Sequence, residues 1–289
     1  MFDYATMTTR NIGFVTEAEQ ERLRDTPVFV CGVGGMGGAC LMALVRAGFT
    51  RLTICDLDDF EVSNLNRQLF ATLDSVGRHK AEASRDQCLR INPQADIEVL
   101  GRDWPDHLDR ILGTAKIVVN GTDDLVASLM LYRGARASGA TVIDAYASPL
   151  PSVYVTRPGD PMPEERLRYP TRGKPIEAVT DADRAEAFLC EAEHVMLNSS
   201  SRHHIDLALA GEVAAGRRSR MSFAPMVIST GMLMAYEVTQ LATGRPGRTD
   251  CRGWFLNVYR NRVERPLPAP VALVMRPIVR RALKRMVAG

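Results

Sequence analysis

The sequence predicts an α/β protein of the Rossmann-like type, in which a mostly parallel central sheet carries helices on both faces and continues into antiparallel strands. Two observations lead to this fold class. In the first half, short apolar segments alternate with helical segments, as in parallel strands joined by crossover helices. After Asp144 the alternation stops and prolines become frequent, which favours antiparallel strands and loops.

The first half predicts an N-terminal arm with a helix over 16–24, followed by strands and helices in alternation. The strand at 28–31 runs through a glycine turn into the apolar helical segment 39–45, and another helical pattern covers 77–91. The predicted strands lie near 28–31, 51–55, 97–100, 117–120 and 141–144.

The second half predicts one strand, a long mobile loop rich in proline, and then mainly helices. We divide the chain into an N-terminal arm and helix (1–25), a Rossmann-like nucleotide-binding half (26–148), a second half of the same domain (149–265) and a basic tail (266–289). The predicted elements after Asp144 are strands at 152–156 and 254–259 and helices at 182–197, 203–215, 225–241 and 276–286.

Composition limits the class of protein. The 289 residues are 46% hydrophobic and 24% charged with a net charge of +2, so charge gives no reason to expect DNA binding. The N-terminus lacks the apolar core of a signal peptide, and the apolar stretch 223–238 is too short and polar to cross a bilayer. Six scattered cysteines suit reduced thiols. We therefore expect a cytoplasmic protein. We do not expect it to bind a membrane.

A glycine-rich turn after the first strand predicts nucleotide binding. Gly32 permits the tight turn, Gly34 and Gly35 let the backbone approach a phosphate, and Gly37 lets helix and strand pack closely. Asp56, at the end of the second strand, can accept hydrogen bonds from ribose hydroxyls. These residues fit NAD and ATP equally well.

The segment Asn64-Leu65-Asn66-Arg67-Gln68 favours ATP over NAD. It places amide and guanidinium donors in a loop, and Lys80 follows in the next helix, so that two cations can contact a triphosphate. Asp123 follows the strand at 117–120, at the sheet edge where ligands bind, and can hold the magnesium of ATP.

Together these residues resemble the ThiF/MoeB superfamily of adenylating enzymes, which includes the nucleotide-binding domains of ubiquitin-activating enzymes. The resemblance covers roughly the first half of the chain, and it implies activation of a carboxylate with ATP and magnesium. The matching segments are Gly32 to Gly37, Asp56 to Gln68, Lys80, the corner Arg90 to Pro93, and Gly121 to Asp123.

The resemblance also implies roles for single residues. Asp56 and Asp58 look like the acidic pair that binds ribose, Asp123 looks like the magnesium ligand, and Asp124 beside it can instead cap a helix. Arg10 resembles an N-terminal arginine that reaches the nucleotide phosphates of a partner subunit. The residues that match the phosphate-binding set are Asn64, Arg67, Gln68 and Lys80.

The cysteines give one departure from better-known members and one residue whose role is open. No Cys-x-x-Cys pair occurs in the chain, so no structural zinc is predicted. Cys190 lies where relatives place a crossover loop and sometimes a reactive cysteine. Because Glu191 and Glu193 disfavour the thiolate, a buried thiol on a helix is the preferred interpretation, with a catalytic Cys190 as the alternative.

The substrate predicted from the resemblance is the C-terminal carboxylate of a small ubiquitin-like or sulfur-carrier protein, or of a peptide, with the proline-rich loop facing it. A homodimer is expected because family members pair through this sheet. The alternatives are adenylation of a tRNA-borne or small-molecule carboxylate, as in threonylcarbamoyladenosine dehydratases, an NAD-dependent oxidoreductase, and a non-catalytic partner subunit.

The basic tail and the histidines permit less definite interpretations. The helical pattern at 276–286 has no acidic residue, and a solvated end is preferred over contact with a membrane, RNA or a carrier protein. His194, His203 and His204 are interpreted as surface histidines, because adjacent histidines point in different directions and lack metal-ligand spacing.

Overall fold

A computed structural model describes residues 1–288 and contains one eight-stranded sheet with the order β3-β2-β1-β4-β5-β6-β7-β8. The first five strands in this order are parallel, and β6, β7 and β8 are antiparallel to their neighbours. The predicted fold class is therefore confirmed. The strands are β1 (Val28–Cys31), β2 (Arg51–Cys55), β3 (Asp96–Leu100), β4 (Ile117–Asn120), β5 (Thr141–Asp144), β6 (Ser152–Thr156), β7 (Trp254–Asn257) and β8 (Arg262–Glu264).

Helices cover both faces of the sheet, and single turns of 3₁₀-helix lie between some of them. The α-helices are α1 (Tyr4–Thr8), α2 (Glu17–Asp25), α3 (Met36–Ala47), α4 (Lys80–Leu89), α5 (Leu108–Thr114), α6 (Leu125–Ser138), α7 (Pro163–Arg166), α8 (Asp181–Asn198), α9 (Leu207–Ala214), α10 (Ala224–Thr243) and α11 (Ala269–Ala288). Within residues 1–288, no helix combines the length and apolar character that a membrane span requires.

The side chains of β1 alternate between two hydrophobic layers. Val28 and Val30 pack in the layer that contains residues of α3 and α10, whereas Phe29 packs with Trp104 in the layer under α5 and α6. All four residues of β1 are buried, as expected for a central parallel strand covered on both faces. This double burial fixes the position of the turn that follows β1.

Local sequence signals fix the first residues of two helices. Thr180 and Asp183 form a capping box at the start of α8, with the Asp183 carboxylate accepting from the Thr180 N–H at 2.9 Å. Asp124 caps α6 by accepting from the Ala127 N–H at 2.8 Å, as the cap interpretation proposed.

The structure corrects three predictions about the second half. The predicted strand 254–259 ends at Asn257, where the chain turns with Asn261 in the left-handed region, and a further strand, β8, follows. The predicted helix 203–215 is shorter in the structure, where α9 covers only Leu207–Ala214. The loop after β6 contains α7, and Glu165 of α7 forms an ion pair with Arg136 at 2.7 Å, so the loop is packed onto α6.

The tail is helical as predicted, but the expectation of a solvated end is wrong. Val279 and Leu283 of α11 are buried against α8. Arg276 and Arg280 form ion pairs with Glu193 and Glu186 of α8, the first at 3.0 Å. Basic residues on one side of α11 thus neutralise acidic residues of α8.

Candidate active site

A cavity of about 700 Å³ lies at the carboxyl ends of the parallel strands. Its walls include Cys31 at the end of β1, Cys55 at the end of β2, Gly121 after β4 and Tyr146 after β5. In open sheets of this type, the crevice at this edge is where ligands bind. The sequence-predicted residues that line the cavity are Gly32, Gly34, Gly35, Asp56, Asp58, Arg67, Gln68 and Asp123.

The glycine turn forms one wall of the cavity, and Gly32 and Gly37 of this turn have no room for a side chain. Gly32 has φ +87°, and a Cβ atom on it would lie 2.5 Å from the carbonyl carbon of Gly121. A Cβ on Gly37 would overlap the carbonyl oxygen of Gly32, so Gly37 packs the helix onto the turn and does not line the cavity. α3 begins at Met36 with no side-chain cap, which leaves its first N–H groups available to an anion.

Asp56 is fixed in place by backbone donors. Its carboxylate accepts from the Val33 N–H at 2.8 Å and from the Asp58 N–H at 3.1 Å. Burial raises the pKa of Asp56, although Lys80 and these two hydrogen bonds act to lower it. A carboxylate in this position can accept hydrogen bonds from the hydroxyls of a bound ribose.

Lys80 forms an ion pair with Asp58, with the Nζ atom 2.9 Å from Oδ2. The Lys80 side chain is only 9% exposed, whereas that of Asp58 is 71% exposed. Lys80 does not line the cavity, but its ion-pair partner Asp58 does. Its ammonium group therefore lies one ion pair away from the cavity.

The segment after β2 folds around a single 3₁₀ turn at Val62–Asn64. Asn64 is buried, and its side chain accepts from the Glu61 N–H at 3.1 Å, so it stabilises the loop and does not line the cavity. Arg67 lines the cavity while its Nη1 donates to the Ser63 carbonyl at 2.8 Å. Gln68 also lines it, and the buried Gln68 Oε1 has no hydrogen-bond partner among the described residues.

The two aspartates after β4 differ in their partners. Asp124 is bound to the Ala127 N–H and to Arg184, at 2.8 and 2.5 Å. Asp123 is 80% exposed and pairs with Arg220 at 3.4 Å. Asp123 is thus the carboxylate that is available to a ligand, and an exposed carboxylate oxygen facing the cavity fits the preference of Mg²⁺ for oxygen.

Two further predicted residues lie elsewhere. Arg10 is exposed in the 3₁₀ turn Thr9–Asn11 and does not line the cavity. Cys190 is buried in α8, with its Sγ 3.9 Å from the Arg168 carbonyl oxygen, and it does not line the cavity either. Burial, with help from Glu193 and Glu191, raises the pKa of the Cys190 thiol to about 11. This environment suits an inert thiol.

Sequence reasoning missed Arg220 and misplaced His194. Arg220 lines the cavity beside Asp123, 97 positions away in the chain, and its only sequence signal is the basic run at 217–220. His194 is buried, contrary to the surface interpretation, and its Nδ1 lies 3.0 Å from Asn198 Nδ2. Burial lowers the pKa of His194 to about 3, so the ring is neutral in the folded protein.

Comparison with known proteins agrees with the family inferred from the motifs. A sequence model described as the ThiF family matches residues 8–270, and the chain therefore belongs to the ThiF family. It is 35% identical over 129 residues to the molybdopterin-synthase adenylyltransferase of Salmonella typhimurium, a match that covers 44% of this chain and 52% of that protein.

Two other similarities concern a tRNA-modifying enzyme and the fold. The chain is 39% identical over 80 residues to the tRNA threonylcarbamoyladenosine dehydratase of Bacillus subtilis, covering 28% of this chain and 32% of that protein. The fold resembles that of E. coli MccB with ATP, with a TM-score of 0.60 and 16% identity over 87% of this chain and 68% of that chain. The chain thus spans about half the length, or less, of the two curated relatives.

Proposed function

We propose that this protein is an ATP-dependent adenylyltransferase that activates a carboxylate as an acyl adenylate and releases pyrophosphate. The observation that supports it most is the joint presence, around one cavity, of the uncapped N-terminus of α3, Asp56, Arg67 and Asp123. Adenylyltransferases among the relatives support the same reaction.

In this proposal the nucleotide occupies the cavity with its ribose at Asp56 and its phosphates at the glycine turn. The first N–H groups of α3 would donate to phosphate oxygens, as helix N-termini do. Arg67, which lines the cavity, would add a guanidinium. Lys80 would exchange Asp58 for a phosphate oxygen, since both partners are close to the cavity wall.

The charges of the site suit the reaction. A carboxylate oxygen attacks the α-phosphorus, the bond from that phosphorus to the bridging oxygen breaks, and pyrophosphate leaves with the electron pair. The attacking group is already ionised near neutral pH, so no general base is needed. Arg67 and Lys80 would hold the phosphates in line for attack and offset the negative charge.

Magnesium would be held by Asp123 together with phosphate oxygens, and when bound it would neutralise charge on the leaving pyrophosphate. Residues 1–288 contain no group of three or more His, Cys, Asp or Glu side chains that forms a metal site by itself. A single exposed carboxylate is what a cation that arrives with its nucleotide requires.

For the substrate we propose the C-terminal carboxylate of a small carrier protein or of a peptide. The Salmonella relative is named for its action on molybdopterin synthase, which supports a protein substrate. A tRNA-borne carboxylate is the second candidate, because the Bacillus relative is a tRNA threonylcarbamoyladenosine dehydratase. We further propose that two copies pair and that Arg10 of one acts at the cavity of the other.

The proposed function predicts that the wild type exchanges labelled pyrophosphate into ATP when a suitable carboxylate is present. Arg67→Ala should lower the exchange rate about 10²-fold, the usual effect of removing a well-placed donor from a charge-stabilising site. Arg46→Ala is the matched control, because Arg46 is exposed in the last turn of α3, at the opposite edge of the sheet. Equal exchange by the two variants would contradict the proposed role of Arg67.

A further inference from the structure

The cavity extends beyond the proposed nucleotide site into an apolar compartment. Its walls come from one face each of α8, α9 and α11. The apolar residues that line it include Phe188, Ala192, Met196, Ala210, Val213 and Leu283. On α8 the lining positions are 188, 192, 195 and 196, which are spaced by three or four residues around one side of the helix, so the opening follows that side.

The compartment is a built feature of the three helices. Gly211 of α9 is buried against α11, and a Cβ atom on it would lie 2.6 Å from the Met286 carbonyl oxygen. The two helices are therefore in backbone contact beside the space. Small side chains such as Ala192 and Ala210 leave the centre open, although protein interiors normally pack densely. An apolar space that joins a polar site favours an apolar group of a ligand.

A cation marks the junction between the two parts of the cavity. The guanidinium of Arg220 lies 5.2 Å from the ring centroid of Phe188 in the apolar part, and its Nη1 lies 3.4 Å from Asp123 in the polar part. Both side chains of this ion pair are well exposed, at 43% and 80%. The pair is long and solvated, so a substrate carboxylate can replace Asp123 at little cost.

We propose that this compartment selects the substrate: the carboxylate binds at Arg220, next to the nucleotide, and the apolar group attached to that carboxylate fills the space between α8, α9 and α11. The proposal rests on the proposed adenylation, and it specifies an apolar acyl group or an apolar C-terminal residue as the substrate class. When Asp123 turns to the nucleotide's magnesium, Arg220 is released to orient the substrate.

Binding of anilinonaphthalene sulfonate, an apolar anion, tests the compartment without requiring turnover. The protein is saturated with magnesium and a non-hydrolysable ATP analogue, and the probe is then displaced with decanoate or with an ether-chain acid of the same length. Decanoate should bind at least tenfold more tightly than the ether acid. Acetylated dipeptides ending in leucine or asparagine show whether the apolar group belongs to a peptide or to a free acid.

Two alanines of α9 provide matched variants, because Ala210 lines the cavity and Ala208 is exposed. Ala210→Phe should weaken decanoate binding at least tenfold and leave binding of the ATP analogue unchanged, whereas Ala208→Phe should change neither. Should Ala210→Phe fail to fold, Val213→Thr places a hydroxyl in the compartment at the same volume and should weaken decanoate about three- to tenfold. Equal decanoate affinity in wild type and the folded compartment variant would overturn the proposal.

The variant Arg220→Ala tests whether the carboxylate end of the ligand binds at Arg220. It should weaken decanoate about tenfold, whereas Arg218→Ala, in the same basic run, should have no effect; unchanged affinity in Arg220→Ala would overturn the assignment of the carboxylate end. If the compartment variants behave as expected but no carboxylate supports pyrophosphate exchange, the apolar site stands and the proposed adenylation fails. If exchange occurs without preference for apolar carboxylates, adenylation stands and the compartment proposal fails.

Discussion

At the scale of single residues, the cavity combines fixed and adjustable side chains. Asp56 accepts from two backbone N–H groups, so its position is set before any ligand binds. Asp123 has instead one long, exposed ion pair to Arg220. The proposed ribose contact is therefore preorganised, whereas the proposed magnesium contact requires the Asp123 side chain to change partners.

Cys190 gives a prediction at this scale. Because its thiol is buried and has a pKa raised to about 11, little thiolate exists at neutral pH. Cys190→Ser should therefore leave product formation within about twofold of wild type, measured with the carboxylate that supports exchange. A loss of several hundredfold, together with trapping of a thioester in the wild type, would restore the covalent alternative.

The sequence predicted site residues where a motif ties the residue to a strand end. Asp56 follows β2 directly and Asp123 lies three residues after the end of β4, so their place at the sheet edge follows from the fold. Asn64 and Gly37 belong to the same motifs but support the loop and the helix contact. Arg220 was missed, because only tertiary packing brings it to Asp123.

At the scale of elements, α8 is central to the second half of the molecule. One side of it pairs with the basic residues of α11, and another lines the cavity. Glu191 of α8 accepts from the Tyr169 hydroxyl at 2.7 Å. Burial raises the pKa of Glu191 to about 7. Ionisation of the Glu191 side chain therefore costs more free energy in the folded protein than in the unfolded chain, and it lowers the stability of the fold.

Glu191→Gln should stabilise the protein in a pH-dependent way. The folded wild type retains the Glu191 proton to about pH 7, whereas the ordinary pKa is 4.5, so the wild type loses stability between these values as pH rises. Glutamine can still accept from Tyr169 and does not ionise. The variant's gain in unfolding free energy should grow from near zero at low pH to about 1–3 kcal/mol above neutrality.

Chemical denaturation of wild type and Glu191→Gln across this pH range measures the difference. Glu177→Gln is a suitable control, because Glu177 is exposed in the 3₁₀ turn before α8. Its profile should follow that of the wild type. A stability difference for Glu191→Gln that is constant with pH would contradict a raised pKa at this position.

At the scale of the whole molecule, the parallel part of the sheet was predictable because each strand is apolar, short and bounded by a helix. All five predicted strands agree with β1 to β5 to within one residue. The antiparallel part of the sheet was less predictable from the sequence. β8 is only three residues long and two of these residues are exposed, so the strand has no apolar pattern. α11 packs on α8 through the buried Val279 and Leu283 and through ion pairs, and no local signal in the sequence reveals these ion pairs.

Homodimerisation and the role of Arg10 remain predictions at this scale. If Arg10 acts on the partner's nucleotide, Arg10→Ala and Asp123→Ala should each be inactive, and mixing them should restore about a quarter of the wild-type activity, since half of the exchanged dimers contain one intact site. Sedimentation should show a dimer at micromolar concentration. A monomer, or full activity of Arg10→Ala, would contradict the shared site.

Calorimetric binding of Mg-ATP and of NADH to the wild type, Arg67→Ala and Asp123→Ala tests the proposed adenylation most directly. We predict that Mg-ATP binds the wild type, that both variants bind it at least tenfold more weakly, and that NADH does not bind, because in the proposed roles Arg67 and the magnesium at Asp123 hold a triphosphate, which NADH lacks. Binding of NADH without binding of Mg-ATP would contradict the proposed adenylation and indicate an oxidoreductase.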